Sequence, residues 1–205
     1  MTVIGFDGIA GYVEAHQDEA RSLLEKYFDR SKTRDGYTGR YFEYFSERSS
    51  PSHLDANDVA ACATLSVALP GRVVTALFEQ AEQIDRLLSQ VPGRDVKLWE
   101  VREDELDDAA PLARLYALLR ATPGVGKVTA SKLLACKRPH LVPVRDQVVE
   151  RLLGAGATWW RPWRDVVAKQ ELRDTVERVT PTAVPSETSI LRRLDVILWM
   201  TGTGA

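Results

Sequence analysis

Two features have the residue types and spacing from which chemistry could be built: the run Pro123-Gly124-Val125-Gly126-Lys127, and Asp146, twenty residues past Gly126. Two glycines around one apolar residue let a backbone turn where any Cβ would clash. If a helix starts at that turn, its first N–H groups have no intrahelical acceptor and lie at the positive end of the helix dipole, which suits a phosphate oxygen. Lys127 adds a full positive charge beside them. Asp146 follows Pro143 and precedes Val148, Val149, Leu152 and Leu153, the pattern of a helix N-cap, typically worth about 1 kcal/mol. The same carboxylate, kept ionised by the helix dipole and by the adjacent Arg145, could stabilise a developing positive charge or orient a water. Cap and catalyst are compatible roles, and the sequence leaves both open.

The flanking pattern supplies the helices that must position these groups. Leu112, Leu115, Leu118 and Leu119 recur at helical spacing before the turn, and Ala130, Leu133 and Leu134 after it, which predicts helix, hairpin and helix over about 110–136. A further helix is expected over 146–154. Elsewhere the period is again helical. Residues from about Gly11 to Arg30 are amphipathic, Asp55-Ala56-Asn57-Asp58 caps a helix through Leu69, and Val73 to Val91 forms another between two Pro-Gly pairs. Pro162 starts a helix near Arg164–Lys169, and Ser186-Glu187 precedes a last one running from Ile190 to Trp199. Alternating apolar and polar runs are too short for more than minor strands, and no repeat or linker divides the chain. The expectation is an all-α, multi-helix domain, single and compact over residues 1–205.

At 205 residues and 44% apolar the chain can bury a sizeable core. No apolar run approaches the roughly 18 residues of a membrane span, and there is no secretory leader, so a cytoplasmic protein without a membrane partner is expected. Cys62 and Cys136 are too few for a cluster and read as buried thiols. His16, His53 and His140 show no ligand spacing, so neither metal nor cofactor is expected. The net charge of −2 excludes a wholly basic nucleic-acid binder. Its distribution is uneven, however. Arg120, Lys127, Lys132, Lys137, Arg138, Arg145 and Arg151 face only Asp146 and Glu150 in their segment, whereas 95–108 is acidic. A local basic footprint for phosphate is the implied partner surface, with the acidic stretch turned away.

Leu118-Leu119, Pro123-Gly124-Val125-Gly126, Thr129-Ala130, Asp146 and Arg151 together resemble the helix-hairpin-helix signature of the DNA glycosylase superfamily that includes bacterial endonuclease III. The likeness covers about thirty residues. It implies duplex DNA as partner, with Gly124, Val125, Gly126, Lys127, Thr129, Arg145 and Arg151 as DNA-contacting residues, and it implies Asp146 as a catalytic residue at the mouth of a base pocket. The chain as a whole also resembles an uncharacterised actinobacterial family with the same Arg-Pro-His-Leu-Val-Pro-Val run before the aspartate, a likeness that supplies no function.

The departures from the glycosylase pattern limit the chemistry. Bifunctional members carry a Schiff-base lysine two residues after the second hairpin glycine, where this chain has Val128. Lys127 is one residue off, about 100° around the helix. Base release without strand cleavage is therefore the implied activity, with a non-catalytic DNA-binding or purely structural protein as the alternative. The usual cysteine cluster is missing, and Gln147 and Val148 stand where a polar Thr-His pair is common. Stacking faces for an extruded base could come from Tyr37, Arg40, Tyr41 and Phe42, a run that reads as an exposed turn about as well as core. Trp159-Trp160-Arg161-Pro162-Trp163-Arg164 reads better as core aromatics with surface arginines. Oligomeric state is not legible.

Overall fold

The computed structural model describes residues 3–32, 36–156 and 159–204. Among these the chain is all-α, with no strand. The helices are α1 (Ile9–Ala15), α2 (Gln17–Phe28), α3 (Phe42–Arg48), α4 (Ala56–Thr64), α5 (Gly71–Glu79), α6 (Ala81–Leu88), α7 (Pro111–Ala121), α8 (Lys127–Lys137), α9 (Gln147–Leu153), α10 (Trp160–Val167), α11 (Gln170–Val179) and α12 (Ile190–Thr203).

Two helices run through the interior. α8 is buried at every position from Ala130 to Lys137 and packs on α3, α4 and α7. α12 is buried from Ile190 through Leu198 and packs on α2, α9 and α11. A helix enclosed on all sides is usually apolar all round, yet these two carry Lys132, Lys137, Arg192, Arg193 and Asp195 into the interior. Buried charges of this kind need partners, and their partners shape the candidate site.

The start signals in the sequence correspond to real caps. Asp55 accepts from Asn57 N and forms a capping box with Asp58, while Asp146 accepts from Val148 N at 2.9 Å. The extents differ. The helix from Asp55 ends at Thr64 rather than Leu69, because Ser66 takes φ +60° and turns the chain away. The stretch 73–91 is two helices broken at Gln80, whose amide reaches Ala76 O and Thr122 Oγ1. The stretch 11–30 breaks at His16, and α10 begins at Trp160, before Pro162.

The tryptophan segment is core, as the composition suggested. Trp163 is fully buried, and Trp159 donates to Pro143 O and stacks edge-on with Phe6 and Trp163. Cys62 and Cys136 are buried and unbridged, and burial pushes the Cys62 thiol up to about 12, far from a reactive thiolate.

Candidate functional site

Helices α7 and α8 are joined by a tight turn over residues 122–126. Gly124 sits at φ +90°, and a Cβ there would meet Val73 Cγ2 at 2.7 Å, so only glycine fits. Gly126 differs. As the N-cap of α8 it has φ −84° and ψ 175°, with open space where a Cβ would be, so the backbone does not demand glycine. No side chain caps α8, which leaves its first-turn N–H groups beside an unobstructed surface. Lys127 is exposed there but pairs with Glu150 at 2.8 Å. Thr129 is half-buried on the next positions and Val125 is core.

Most of the expected basic footprint is internal, which corrects the charge reading. Arg120, Lys127 and Arg151 are exposed, whereas Lys132, Lys137, Arg138 and Arg145 are buried. Arg138 donates to the carbonyls of Leu88, Pro51 and Pro92, and so seals loop ends that helices leave unsatisfied. Arg145 does not support Asp146 either. It donates to Glu150 and Gly156 O and lies over the Trp159 ring. Against the effect of burial, Lys127 and Arg145 hold the Glu150 carboxyl below its ordinary range.

The residue that does meet Asp146 is Lys132, six positions along α8 from Gly126, an axial rise of about 9 Å. Its ammonium lies 3.4 Å from Asp146 Oδ2 and 2.9 Å from Leu65 O. An ammonium has three donors, and among the described residues these are its two partners. Leu65 precedes Ser66, the non-glycine residue with a left-handed backbone noted above. Such a conformation costs about 1–2 kcal/mol and tends to mark sites where geometry is imposed.

Asp146 and Lys132 open onto a cavity of about 150 Å³. Its aromatic wall is Tyr27, Tyr37 and Trp199. Tyr37 lies parallel to Tyr27 with centroids 5.1 Å apart, and Trp199 stands edge-on to both. The remainder includes Thr38, Gly39, Ser66, Val144, Arg192 and Asp195. Gly39 allows close approach, since a Cβ there would collide with the Tyr27 hydroxyl. A cavity of about this volume accommodates one benzene-sized ring.

Behind the wall stands a buried polar network. Arg192 donates to Glu43 Oε1, Asp195 Oδ2, Tyr27 Oη and Gly39 O. Asp195 Oδ1 and Glu43 Oε2 have no hydrogen-bond partner among the described residues. Burial pushes the Asp195 carboxyl up to about 6, with Arg192 opposing and Asp146 adding to the rise, and burial likewise raises Glu43.

Of the four stacking candidates, Tyr37 alone lines the cavity. Tyr41 is exposed in a neighbouring apolar hollow with Tyr44 and Phe45 that shares Thr38 and Thr64 with the cavity. Phe42 is core, and Arg40 is buried on the carbonyls of Asp29 and Lys32. The run is thus a 3-10 turn leading into α3, in which Tyr41 and Tyr44 are the exposed aromatics, rather than one continuous exposed face. Lys132, Asp195, Arg192, Tyr27 and Trp199 were not singled out as site residues by sequence reasoning. A wider groove is bordered by Tyr116, Trp160 and Arg161.

Among the described residues, no helix is long and apolar enough to cross a membrane. No curated protein and no solved structure matches the chain. One family profile does match, over residues 20–202, and the chain therefore belongs to the Family of unknown function (DUF6308).

Proposed function

We propose that this chain grips duplex DNA through the turn at 122–127 and receives an extruded base in the cavity beside Asp146, releasing it without cutting the strand. The observation that carries the reading is the cavity itself: a ring-sized space with aromatic walls, a carboxylate and an ammonium at its edge, reached from the same helix that the turn begins. A flipped base is read by stacking and by hydrogen bonds to its edge, and this lining offers both. As the C1′–N bond breaks, the base leaves with the bonding electrons, and positive charge develops on the sugar. The Asp146 carboxylate stabilises that charge and orients the water that adds to C1′, and the proton the water loses ends on the departing base.

A second reading is favoured by a specific observation. Both Asp146 oxygens are engaged, one by Val148 N and one by Lys132, as a purely structural cap would be. The protein would then bind DNA without catalysis.

The grip is tested by Gly126→Ser. Serine caps a helix better than glycine, and nothing crowds its Cβ, so the variant is expected to be at least as stable as wild type. Its side chain and hydroxyl nevertheless occupy the phosphate position, so duplex affinity is expected to fall several-fold at low salt, and wild-type affinity to fall as salt rises. Unchanged affinity in a fluorescence-anisotropy titration sinks the grip.

Strand cleavage is tested by borohydride trapping. Val128 cannot form a Schiff base, and Lys132, the one amine that lines the cavity among the described residues, is engaged by Asp146 and Leu65 O. No covalent adduct is expected. An adduct on wild type that disappears in Lys132→Met would convert the reading to a lyase.

A further inference from the structure

The cavity holds one acceptor and one donor that the network behind it does not use up. Asp195 lines the cavity and is 3% exposed, with Oδ2 taken by Arg192 and Oδ1 left without a partner among the described residues. A buried carboxylate oxygen without a donor is costly, and native structures seldom retain one without a role. Lys132, on the same lining, has partners for two of its three N–H groups among the described residues. Tyr27, Tyr37 and Trp199 line the same cavity, Tyr27 and Tyr37 stacked on each other and Trp199 edge-on to both. An acceptor and a donor on one cavity lining suit a ring edge bearing an amine next to a ring nitrogen. Adenine and cytosine present such a pair on their Watson–Crick edge, whereas thymine and uracil present a carbonyl oxygen beside a ring N–H there, and the guanine amine on that edge adjoins a ring N–H donor rather than an acceptor nitrogen.

We infer that Asp195 and Lys132 make the cavity selective for bases whose amine adjoins an acceptor ring nitrogen on the Watson–Crick edge, Asp195 Oδ1 accepting from the exocyclic amine and Lys132 donating to the neighbouring ring nitrogen. The inference rests on the reading of the cavity as a base pocket, and it adds the class of base and the residue that selects it. A keto base would set its oxygen against the Asp195 carboxylate. One well-placed pair of this kind gives roughly tenfold discrimination or more.

The test uses free bases and the intact protein, so it depends on neither DNA binding nor turnover. Adenine is compared with hypoxanthine, and cytosine with uracil, by protein-observed NMR titration at pH 7.5, with the Trp199 indole signal reporting occupancy of the cavity. Wild type is expected to bind the amino member of each pair about tenfold more tightly, and Asp195→Asn to lose or invert that preference. Wild type itself supplies a second arm that needs no variant. Lowering the pH from 7.5 to 5 protonates Asp195 and turns its carboxyl into a potential donor, so the preference is expected to shrink. The groups facing Asp195 are Arg192 on its own helix, Glu43 on α3, Tyr27 on α2, Lys132 on α8 and Asp146 before α9. Equal binding of amino and keto bases overturns the inference while leaving the base pocket standing. Binding of none of the four at millimolar concentration overturns both.

Discussion

Helix α8 carries two buried lysines five residues apart, each paired with an aspartate at the start of another helix, and the two pairs are built differently. Lys137 donates to Ser49 Oγ, Ser50 O and His53 O and lies 2.5 Å from Asp58 Oδ2, while Asp58 also accepts from Ser49 Oγ and Asp55 N. Asp58 is wholly buried. Every donor and acceptor in that pair is used, and the result is a rivet between α4, the loop before it and α8. Lys132 and Asp146 instead meet at a longer 3.4 Å. The Asp146 side chain is 23% exposed, and a cavity lies beside them. The same two residue types thus make a structural joint where they are saturated and a candidate site where they are not. Satisfaction of hydrogen bonds, rather than the presence of charge, separates the two.

Breaking each pair in turn sharpens this contrast. Lys137→Met leaves the buried Asp58 without its cation, a change that typically costs about 3–5 kcal/mol. For a chain of this length that corresponds to a fall in Tm of roughly 6–20 °C. Lys132→Met should cost clearly less, on the order of 1–2 kcal/mol, because Asp146 keeps its Val148 N–H and its access to the cavity. Chemical denaturation checks both, and equal losses would erase the distinction between joint and site.

The next largest effect is a pH dependence. The Asp195 carboxyl stands at about 6 in the folded chain, against an ordinary value near 3.9 when unfolded. Between these values the unfolded chain has released a proton that the folded chain keeps, so the stability contributed at this residue falls as pH rises from about 4 to about 6. The full difference is on the order of 3 kcal/mol. Glu43, also raised by burial, acts in the same direction. Asp195→Asn removes the Asp195 part, so the stability of the variant relative to wild type should climb through that window and level off above pH 7. A flat difference across the window contradicts the assignment.

Helix starts were legible because their signals are local: Asp55 and Asp146 cap by reaching residues two positions on, and Gly154, at φ +59°, ends α9 where the pattern stops. The breaks at His16 and Gln80 were not, since neither involves proline or glycine and the Gln80 side chain reaches across to Thr122. Helix α11 was overlooked although Leu172, Val176 and Val179 carry its spacing, because the intervening charges mask a narrow apolar stripe. Asp146 and Tyr37 were found as candidate residues, and the cavity they share joins them to Lys132 on α8 and Asp195 on α12. Those two residues carry no local mark of burial. A buried lysine in sequence looks like a surface lysine, which is also why the basic segment 120–151 read as a footprint when most of it is interior bracing.

The smallest structural change bears on the central claim. Asp146→Asn keeps the cap, because asparagine caps about as well as aspartate, but removes the negative charge beside the cavity. The decisive measurement is base release from a panel of damaged and mismatched duplex oligonucleotides by wild type and by Asp146→Asn, with Tm and duplex affinity determined on the same preparations. The account expects a variant that melts within a few degrees of wild type, binds DNA at least as well, and releases base about 10²–10³-fold more slowly. Equal release by the two proteins, or release by neither across the panel, would contradict it and leave Asp146 as the N-cap of α9.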